Sequence, residues 1–123
     1  MKIGIVGSRR RNEPSDFEIV KKKLLEIFKD GDIIISGGCK RGADGFAEIL
    51  VDELKVAGRT IDKQIFPADW KKHGRAAGFI RNTDIARESE VLIACVAPDR
   101  TGGTEDTVKK FHKMHPGATV YLV

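Results

Sequence analysis

Glycine, serine and basic residues follow four short apolar segments of this chain, and together they have the chemistry of a phosphate site. Backbone N–H groups that glycine leaves open bind phosphate oxygens, and arginine and lysine supply the opposing positive charge. The four segments span residues 7–11, 36–42, 69–75 and 99–104. The pattern predicts an anion site, provided that the fold brings these segments together.

The apolar segments are typical of parallel β-strands in βαβ units, because helical patterns separate them. Strands are predicted at residues 2–7, 33–36, 61–66, 91–96 and 118–123, with helices that begin after residues 15 and 42 and that span 75–89 and 104–115. We expect an α/β fold: a three-layer α/β/α sandwich with a Rossmann-like, five-stranded parallel sheet in the order 3-2-1-4-5. The carboxyl ends of such strands meet at one edge, so the basic segments converge there.

Length and composition describe a small globular protein. The 123 residues fit one domain, predicted to span 1–123, and the 41% hydrophobic content excludes a disordered chain. No apolar run approaches the ~18 residues of a membrane span, and the first residues do not form a signal peptide, so we expect a cytoplasmic protein with no membrane partner. The net charge of +4 suits a nucleotide or nucleic acid but selects neither.

Several common sites are excluded because their motifs are missing. The chain has no Gly-x-Gly-x-x-Gly dinucleotide fingerprint, no P-loop and no catalytic serine in an elbow context. Its histidines, cysteines and acidic residues lack metal-ligand spacing, so neither a metal site nor a resident cofactor is predicted. Cys39 and Cys95 are interpreted as reduced cytosolic thiols rather than as a disulfide.

The turn after the second strand is the first candidate for ligand contact. Ser36, Gly37 and Gly38 end the strand, and Asp44 lies at the start of the following helix. Glycine lets a ligand approach the backbone, and Asp44 has the chemistry to accept a hydrogen bond from a ribose hydroxyl. The alternative is a tight structural turn in which Asp44 favours the helix dipole.

A second glycine-rich turn precedes the last helix. Gly102 and Gly103 offer open backbone N–H groups where a phosphate can bind, and Thr104 follows them. The structural alternative is that Thr104 caps the helix, with acidic residues in the first turn.

The exit of the first strand is the third candidate. Gly7, Ser8 and Arg9 leave the strand that occupies the middle of the predicted sheet. Because ligands of open α/β sheets bind at that position, we expect these three residues to contact the ligand.

The segment before the third long helix supplies an aromatic residue and a basic one. Trp70, the one tryptophan of the chain, is predicted either to stack on a base or to pack against the sheet edge. Arg81 and Asn82 lie further along the helix, where an arginine has the reach to bind a phosphate. The alternative for Arg81 is an ion pair with Asp84, with Glu88 or with a neighbouring helix.

In this order the motifs resemble the SLOG superfamily, and specifically its small YspA-like, cpYpsA-related branch. The residues that carry the resemblance are Gly7-Ser8-Arg9, Ser36-Gly37-Gly38, Gly42-Ala43-Asp44, Asp69-Trp70, Gly74, Ala77-Gly78, Arg81-Asn82 and Gly103-Thr104. The superfamily has a Rossmann-like fold without the dinucleotide fingerprint. It includes the lonely-guy phosphoribohydrolases and the DNA-processing protein A family. The resemblance implies a nucleotide or nucleotide-derived ligand, and a sensor or nucleotide-processing role.

One departure from the lonely-guy pattern weakens the prediction of an enzyme. Those enzymes carry Pro-Gly-Gly-x-Gly-Thr-x-x-Glu with a catalytic glutamate, whereas here the third residue after Thr104 is Thr107. If the protein is a phosphoribohydrolase that cleaves the N-glycosidic bond of a nucleoside monophosphate, Asp44 or Glu105 must supply the carboxylate. We therefore leave its status as an enzyme open.

A third hypothesis is single-stranded nucleic-acid binding by the basic edge and Trp70. It ranks below the other two because one aromatic residue accompanies the basic segments and no extended groove can be inferred. The resemblance also implies a homodimer that completes a shared site.

Overall fold

A computed structural model describes residues 1–123. Five strands alternate with helices along the chain, and a short helix and a 3₁₀ turn follow the third strand. The elements are β1 (Lys2–Gly7), α1 (Pro14–Ile27), β2 (Ile33–Ser36), α2 (Ala43–Val56), β3 (Asp62–Ile65), α3 (Trp70–His73), a 3₁₀ turn (Gly74–Ala76), α4 (Ala77–Glu88), β4 (Val91–Cys95), α5 (Gly103–Met114) and β5 (Val120–Leu122).

The strands form one parallel sheet in the order β3-β2-β1-β4-β5, which confirms the predicted α/β fold and strand order. β1 lies at the centre, where Gly4 pairs with Ile35 of β2 on one side and with Leu92 of β4 on the other. The chain therefore reverses its direction of travel across the sheet between β1 and β4. In open α/β sheets this switch point is where ligands bind.

Two hydrophobic clusters cover the two faces of the sheet. The larger one joins α1 and α2 to residues of β1 and β2 such as Ile3, Ile5 and Ile34. The smaller one joins α4 and α5 to Val6 and Ile35 on the opposite face. Because successive strand residues point to opposite faces, this alternation produces the three-layer sandwich.

The segment after β3 differs from its prediction. The helix predicted over residues 75–89 begins at Ala77, and a separate short helix, α3, precedes it. The Asp69 carboxylate accepts a hydrogen bond from the Lys72 backbone N–H at 3.1 Å, and this N-cap starts the short helix. The outer strands β3 and β5 are shorter than the predicted ranges 61–66 and 118–123.

The start of α5 also differs in detail. Gly102, with φ of +105°, occupies the N-cap position and no side chain caps the helix. Thr104 is the second residue of the helix and is buried, so its predicted role as the N-cap is wrong. None of the helices is both long and apolar enough to cross a membrane.

Candidate functional site

A pocket of about 400 Å³ opens at the carboxyl ends of β1 and β4. Four separate segments line it: the β1 exit, the β2–α2 turn, the stretch from α3 into α4, and the β4–α5 turn. The lining residues are Val6, Gly7, Ser8, Arg9, Arg10, Cys39, Arg41, Asp44, Trp70, Arg75, Gly78, Phe79, Arg81, Asn82, Ile85, Thr101, Gly102, Gly103, Thr104 and Thr107. The segments predicted to converge do so here.

Most of the predicted site residues line this pocket directly. They are Gly7, Ser8, Arg9, Asp44, Trp70, Arg81, Asn82, Gly102, Gly103 and Thr104. Ser36, Gly37 and Gly38 are not among the lining residues and lie behind it, while Glu105 lies outside.

Ser8 and Arg10 shape the exit of β1. The Ser8 backbone N–H donates to the Cys95 carbonyl at 2.9 Å, which continues the β1–β4 pairing beyond the strand. Arg10 donates to both carboxylate oxygens of Asp99, at 2.9 and 2.6 Å, and to the Thr101 hydroxyl at 2.9 Å. This bidentate pair lowers the pKa of Asp99 and connects the β1–α1 loop to the β4–α5 turn across the pocket.

Gly37 supports the pocket from behind. Its carbonyl oxygen accepts a hydrogen bond from Arg81 Nη1 at 2.9 Å. An added Cβ at position 37 would lie 2.5 Å from that nitrogen and 2.8 Å from Asp44 Oδ2, so the space a side chain would need is filled by these two groups. Gly37 therefore positions Arg81 and Asp44 from behind the pocket, while Cys39 and Arg41 of the same β2–α2 turn line it.

Asp44 is the one carboxylate in the pocket lining. It accepts a hydrogen bond from the Cys39 backbone N–H at 3.3 Å. Burial raises the pKa of Asp44, although the nearby Arg81 guanidinium and the surrounding donors pull it down. The buried Ser36 hydroxyl lies on the same side and has no partner of good hydrogen-bond geometry. Asp44 is thus a half-buried acid of the pocket lining, and its pKa depends on its burial and on the charged and donor groups around it.

Asn82 connects the two helices that form one wall. Its side-chain oxygen accepts from Arg81 Nε at 3.2 Å, and its amide donates to the Gly103 carbonyl and to Asp106 Oδ2, both at 3.2 Å. Asp106 in turn accepts from Lys110 at 2.8 Å. The network fixes Arg81 against α5, in place of the predicted alternative of an ion pair with Asp84, Glu88 or a neighbouring helix.

Glu105 points away from the pocket. Its carboxylate is bound by Arg100, whose Nε and Nη2 approach it at 2.8 to 3.0 Å. Arg100 has φ of +56°, an unusual conformation for a residue with a side chain, and it makes the ion pair from this conformation. Thr107 lines the pocket at the position where the lonely-guy pattern carries its glutamate.

Two aromatic side chains lie at the pocket mouth. Trp70 is 56% exposed and lines the pocket, so part of its ring is open to a ligand. Phe79, which the sequence analysis missed, is 58% exposed and lines the same wall. In the sequence Phe79 is one apolar residue of a helical pattern, and no residue type near it indicates that its side chain is exposed.

Positive charge dominates the pocket. Its lining contains five arginines (Arg9, Arg10, Arg41, Arg75 and Arg81) against the single carboxylate of Asp44. The residues of the chain form no cluster of three or more metal-ligating side chains. Arginine guanidinium groups with open helix N-termini are suited to binding phosphate or carboxylate anions.

No protein-family profile matches the chain. A curated protein described as "Gene 61 protein" of Mycobacterium phage D29 is 28% identical over 83 residues, which are 68% of this chain and 66% of the phage protein. That description states no activity.

Proposed function

We propose that this chain binds a nucleotide or nucleotide-derived ligand in the pocket at the carboxyl ends of β1 and β4, and that it acts as a sensor or nucleotide-processing domain. Phosphate would contact the β1 exit at Ser8 and Arg9 and the open N-terminus of α5 at Gly102 and Gly103. Arg81 would supply charge from the wall formed by α4.

The observation that carries the proposal is the composition of the pocket. Five arginines and two exposed aromatic rings line a concavity of about 400 Å³ at the switch point of the sheet. A volume of this size suits a small molecule, and the arginines require an anion. A nucleotide combines the anion with an aromatic group.

The resemblance to the SLOG superfamily supports the same proposal. The motifs that carry it come from four separate parts of the sequence, and the pocket lining includes residues of each. We therefore propose membership of the YspA-like branch, with the pocket as its ligand site.

The first experiment is retention of ligand from a mixture. The pure protein is incubated with pooled mononucleotides, nicotinamide dinucleotide and ADP-ribose, and mass spectrometry identifies what stays bound after ultrafiltration. The matched test variant is Gly103→Asp, because an added Cβ there meets nothing closer than 3.8 Å and a carboxylate at this helix terminus repels phosphate. Thr119→Asp adds the same charge outside the pocket as a control.

Retention by the wild type and by Thr119→Asp, with loss in Gly103→Asp, is the expected result. If no compound is retained, nucleotide binding is wrong. Strong salt-dependent binding of a single-stranded oligonucleotide in its place would assign the third hypothesis, nucleic-acid binding.

Asp44 favours a second candidate function, the phosphoribohydrolase. It is the carboxylate of the pocket and burial raises its pKa, which is a property of acids and bases in catalysis. Glu105 is a weaker candidate because Arg100 engages it outside the pocket. The presence of Thr107 in the pocket, where lonely-guy enzymes carry glutamate, argues for binding without cleavage.

Release of free base from a nucleoside monophosphate distinguishes these functions. The hydrolase predicts base and ribose phosphate as products, with loss of turnover in Asp44→Asn and full turnover in Glu105→Gln. An intact, retained nucleotide in the wild type excludes turnover of that compound and leaves binding as the function.

Two further properties belong to this proposal. We propose that the protein acts in the cytoplasm, where its free thiols Cys39 and Cys95 stay reduced, and that two copies pair to complete the site. Light scattering on the purified protein tests the pairing, and a monomer across the accessible concentrations contradicts it.

A further inference from the structure

Three of the arginines that line the pocket have no partner within the chain. Arg9, Arg41 and Arg75 make no side-chain hydrogen bond and no ion pair, whereas Arg10 is held by Asp99. A phosphate monoester carries a charge of about −1.5 to −2 at neutral pH. Three unpaired guanidinium groups therefore exceed what one such phosphate neutralises.

The free guanidinium groups come from two parts of the wall. Arg41 directly precedes Gly42, where an added Cβ would lie 2.7 Å from the Ser8 carbonyl oxygen and 3.4 Å from the Arg9 Cα. The φ of +71° at Gly42 and this close approach bring the backbones of Arg9 and Arg41 side by side. Arg75 belongs to the 3₁₀ turn of the segment that follows β3. Two segments of the pocket lining thus offer unpaired guanidinium groups to an anion: Arg9 with Arg41 as the first place, and Arg75 as the second.

The aromatic rings lie next to the second of these places. Trp70 and Phe79 belong to the same segment as Arg75, and both are more than half exposed. A Cβ added at Gly78 would lie 3.6 Å from the Trp70 ring, so the indole lies beside the first turn of α4. Exposed rings that line a pocket offer a face on which a nucleobase stacks.

Given the proposed function, on which this step rests, we infer that the ligand contains a nucleoside diphosphate group. The base stacks on Trp70 and Phe79, the phosphate nearer the sugar contacts Arg75, and the second phosphate lies between Arg9 and Arg41. Free nucleoside diphosphates and dinucleotide pyrophosphates share this chemistry.

Calorimetric titrations compare the adenine, guanine, cytosine and uracil nucleotides as mono- and diphosphates, together with ADP-ribose and inorganic pyrophosphate. At least one diphosphate is expected to bind about tenfold more tightly than its monophosphate, because it gains charge-assisted hydrogen bonds at the first place, from Arg9 and Arg41. Tighter binding of ADP-ribose than of ADP would identify the pyrophosphate diester as the source of the group. Trp70 fluorescence reports stacking directly, since the chain has one tryptophan.

Two variants separate the two halves of the ligand. Phe79→Ala is expected to weaken diphosphate binding about tenfold while binding of inorganic pyrophosphate stays unchanged. Arg9→Gln combined with Arg41→Gln is expected to reduce diphosphate affinity to that of the monophosphate. Ile80→Ala, at an exposed neighbour outside the pocket, and Arg87→Gln, at an exposed arginine of α4, are the matched controls.

Equal affinity for mono- and diphosphates overturns the inference, as does an equal loss of nucleotide and pyrophosphate binding in Phe79→Ala. In both cases a nucleotide still binds, so the proposed function stands. A protein that binds none of these compounds overturns the proposed function and this inference together.

Discussion

Arg81 occupies the space that a side chain at Gly37 would need. Its Nη1 atom donates to the Gly37 carbonyl at 2.9 Å and lies 2.5 Å from where a Cβ at position 37 would be. One glycine behind the pocket therefore determines where the guanidinium group of α4 stands. The same space is bordered by the carboxylate of Asp44.

Gly37→Ala is expected to destabilise the protein by ~1–3 kcal/mol, because an overpacked methyl group must displace Arg81 or Asp44. Urea denaturation of the single variants and of the double variant Gly37→Ala/Arg81→Ala measures the coupling. The alanine at position 37 should cost less when Arg81 is already truncated. Additive effects would mean that the two positions are independent.

Arg81→Ala is expected to weaken nucleotide binding by ~1.5–3 kcal/mol, the range for a hydrogen bond to a charged group. Titration calorimetry with the nucleotide retained by the wild type gives the value. Arg87→Ala removes an arginine from the same helix, but one that pairs with Asp84 outside the pocket, and should leave the affinity unchanged. Unchanged affinity in Arg81→Ala would remove this residue from the ligand site.

Asp44 makes stability depend on pH. Burial raises its pKa in the folded protein above the ordinary value of 3.8, so the folded state holds the proton more tightly than the unfolded state. Stability contributed by the protonated form is therefore present at low pH and is lost as pH rises through the folded pKa. Compared with Asp44→Asn, the wild type should lose free energy of unfolding as pH rises from about 4. A difference between the two proteins that stays constant with pH would show that the folded pKa is not raised.

Asp99→Asn is expected to increase the affinity for anionic ligands several-fold. In the wild type both terminal nitrogens of Arg10 donate to the Asp99 carboxylate at the edge of the pocket. The substitution removes that negative charge and leaves the guanidinium group free to bind an anion. Inorganic pyrophosphate is a sufficient probe, measured at two salt concentrations because exposed charges are screened. A lower affinity would instead mean that the pair holds the β4–α5 turn in its binding shape.

Phe111→Ala is expected to destabilise the protein by ~3–5 kcal/mol, because the fully buried ring fills the cluster between α5 and the sheet. Met114→Ala on the same helix, at a residue that is 40% exposed, should change stability by less than ~0.5 kcal/mol. Thermal unfolding followed by circular dichroism compares the two. Because alanine has the highest helix propensity, neither loss can come from propensity, and similar losses would contradict a dominant packing role for Phe111.

The sheet could be predicted because its signals are local and repeated. The ranges of β1 and β2 agree with the apolar runs that predict them. The strand order agrees with right-handed crossover connections between parallel strands. The shorter β3 and β5 lie at the sheet edges, where each strand pairs on one side. Residues at the ends of these two predicted strands belong to the apolar runs but lie outside the strands of the sheet.

The side-chain pairing of the site could not be predicted in the same way. Arg100 binds Glu105 from a backbone conformation with positive φ, and an arginine in the sequence does not predict this conformation. Ser36 and Gly37 lie behind the pocket because the long Arg81 side chain of α4 extends to the Gly37 carbonyl. The exposure of Phe79 could not be predicted either, because in the sequence it is one of several apolar residues of a helix.

The assembly of the pocket from four distant segments makes ligand recognition inseparable from folding. Arg9, Asp44, Arg81 and Gly103 are distant in sequence and line one pocket only because the sheet brings their segments together. Any molecule that binds here consequently protects the whole protein against unfolding, by about 2.7 kcal/mol at a concentration of 100 times its Kd. Resistance to heat or to proteolysis in a crude metabolite extract thus reports the natural ligand before its chemical identity is known.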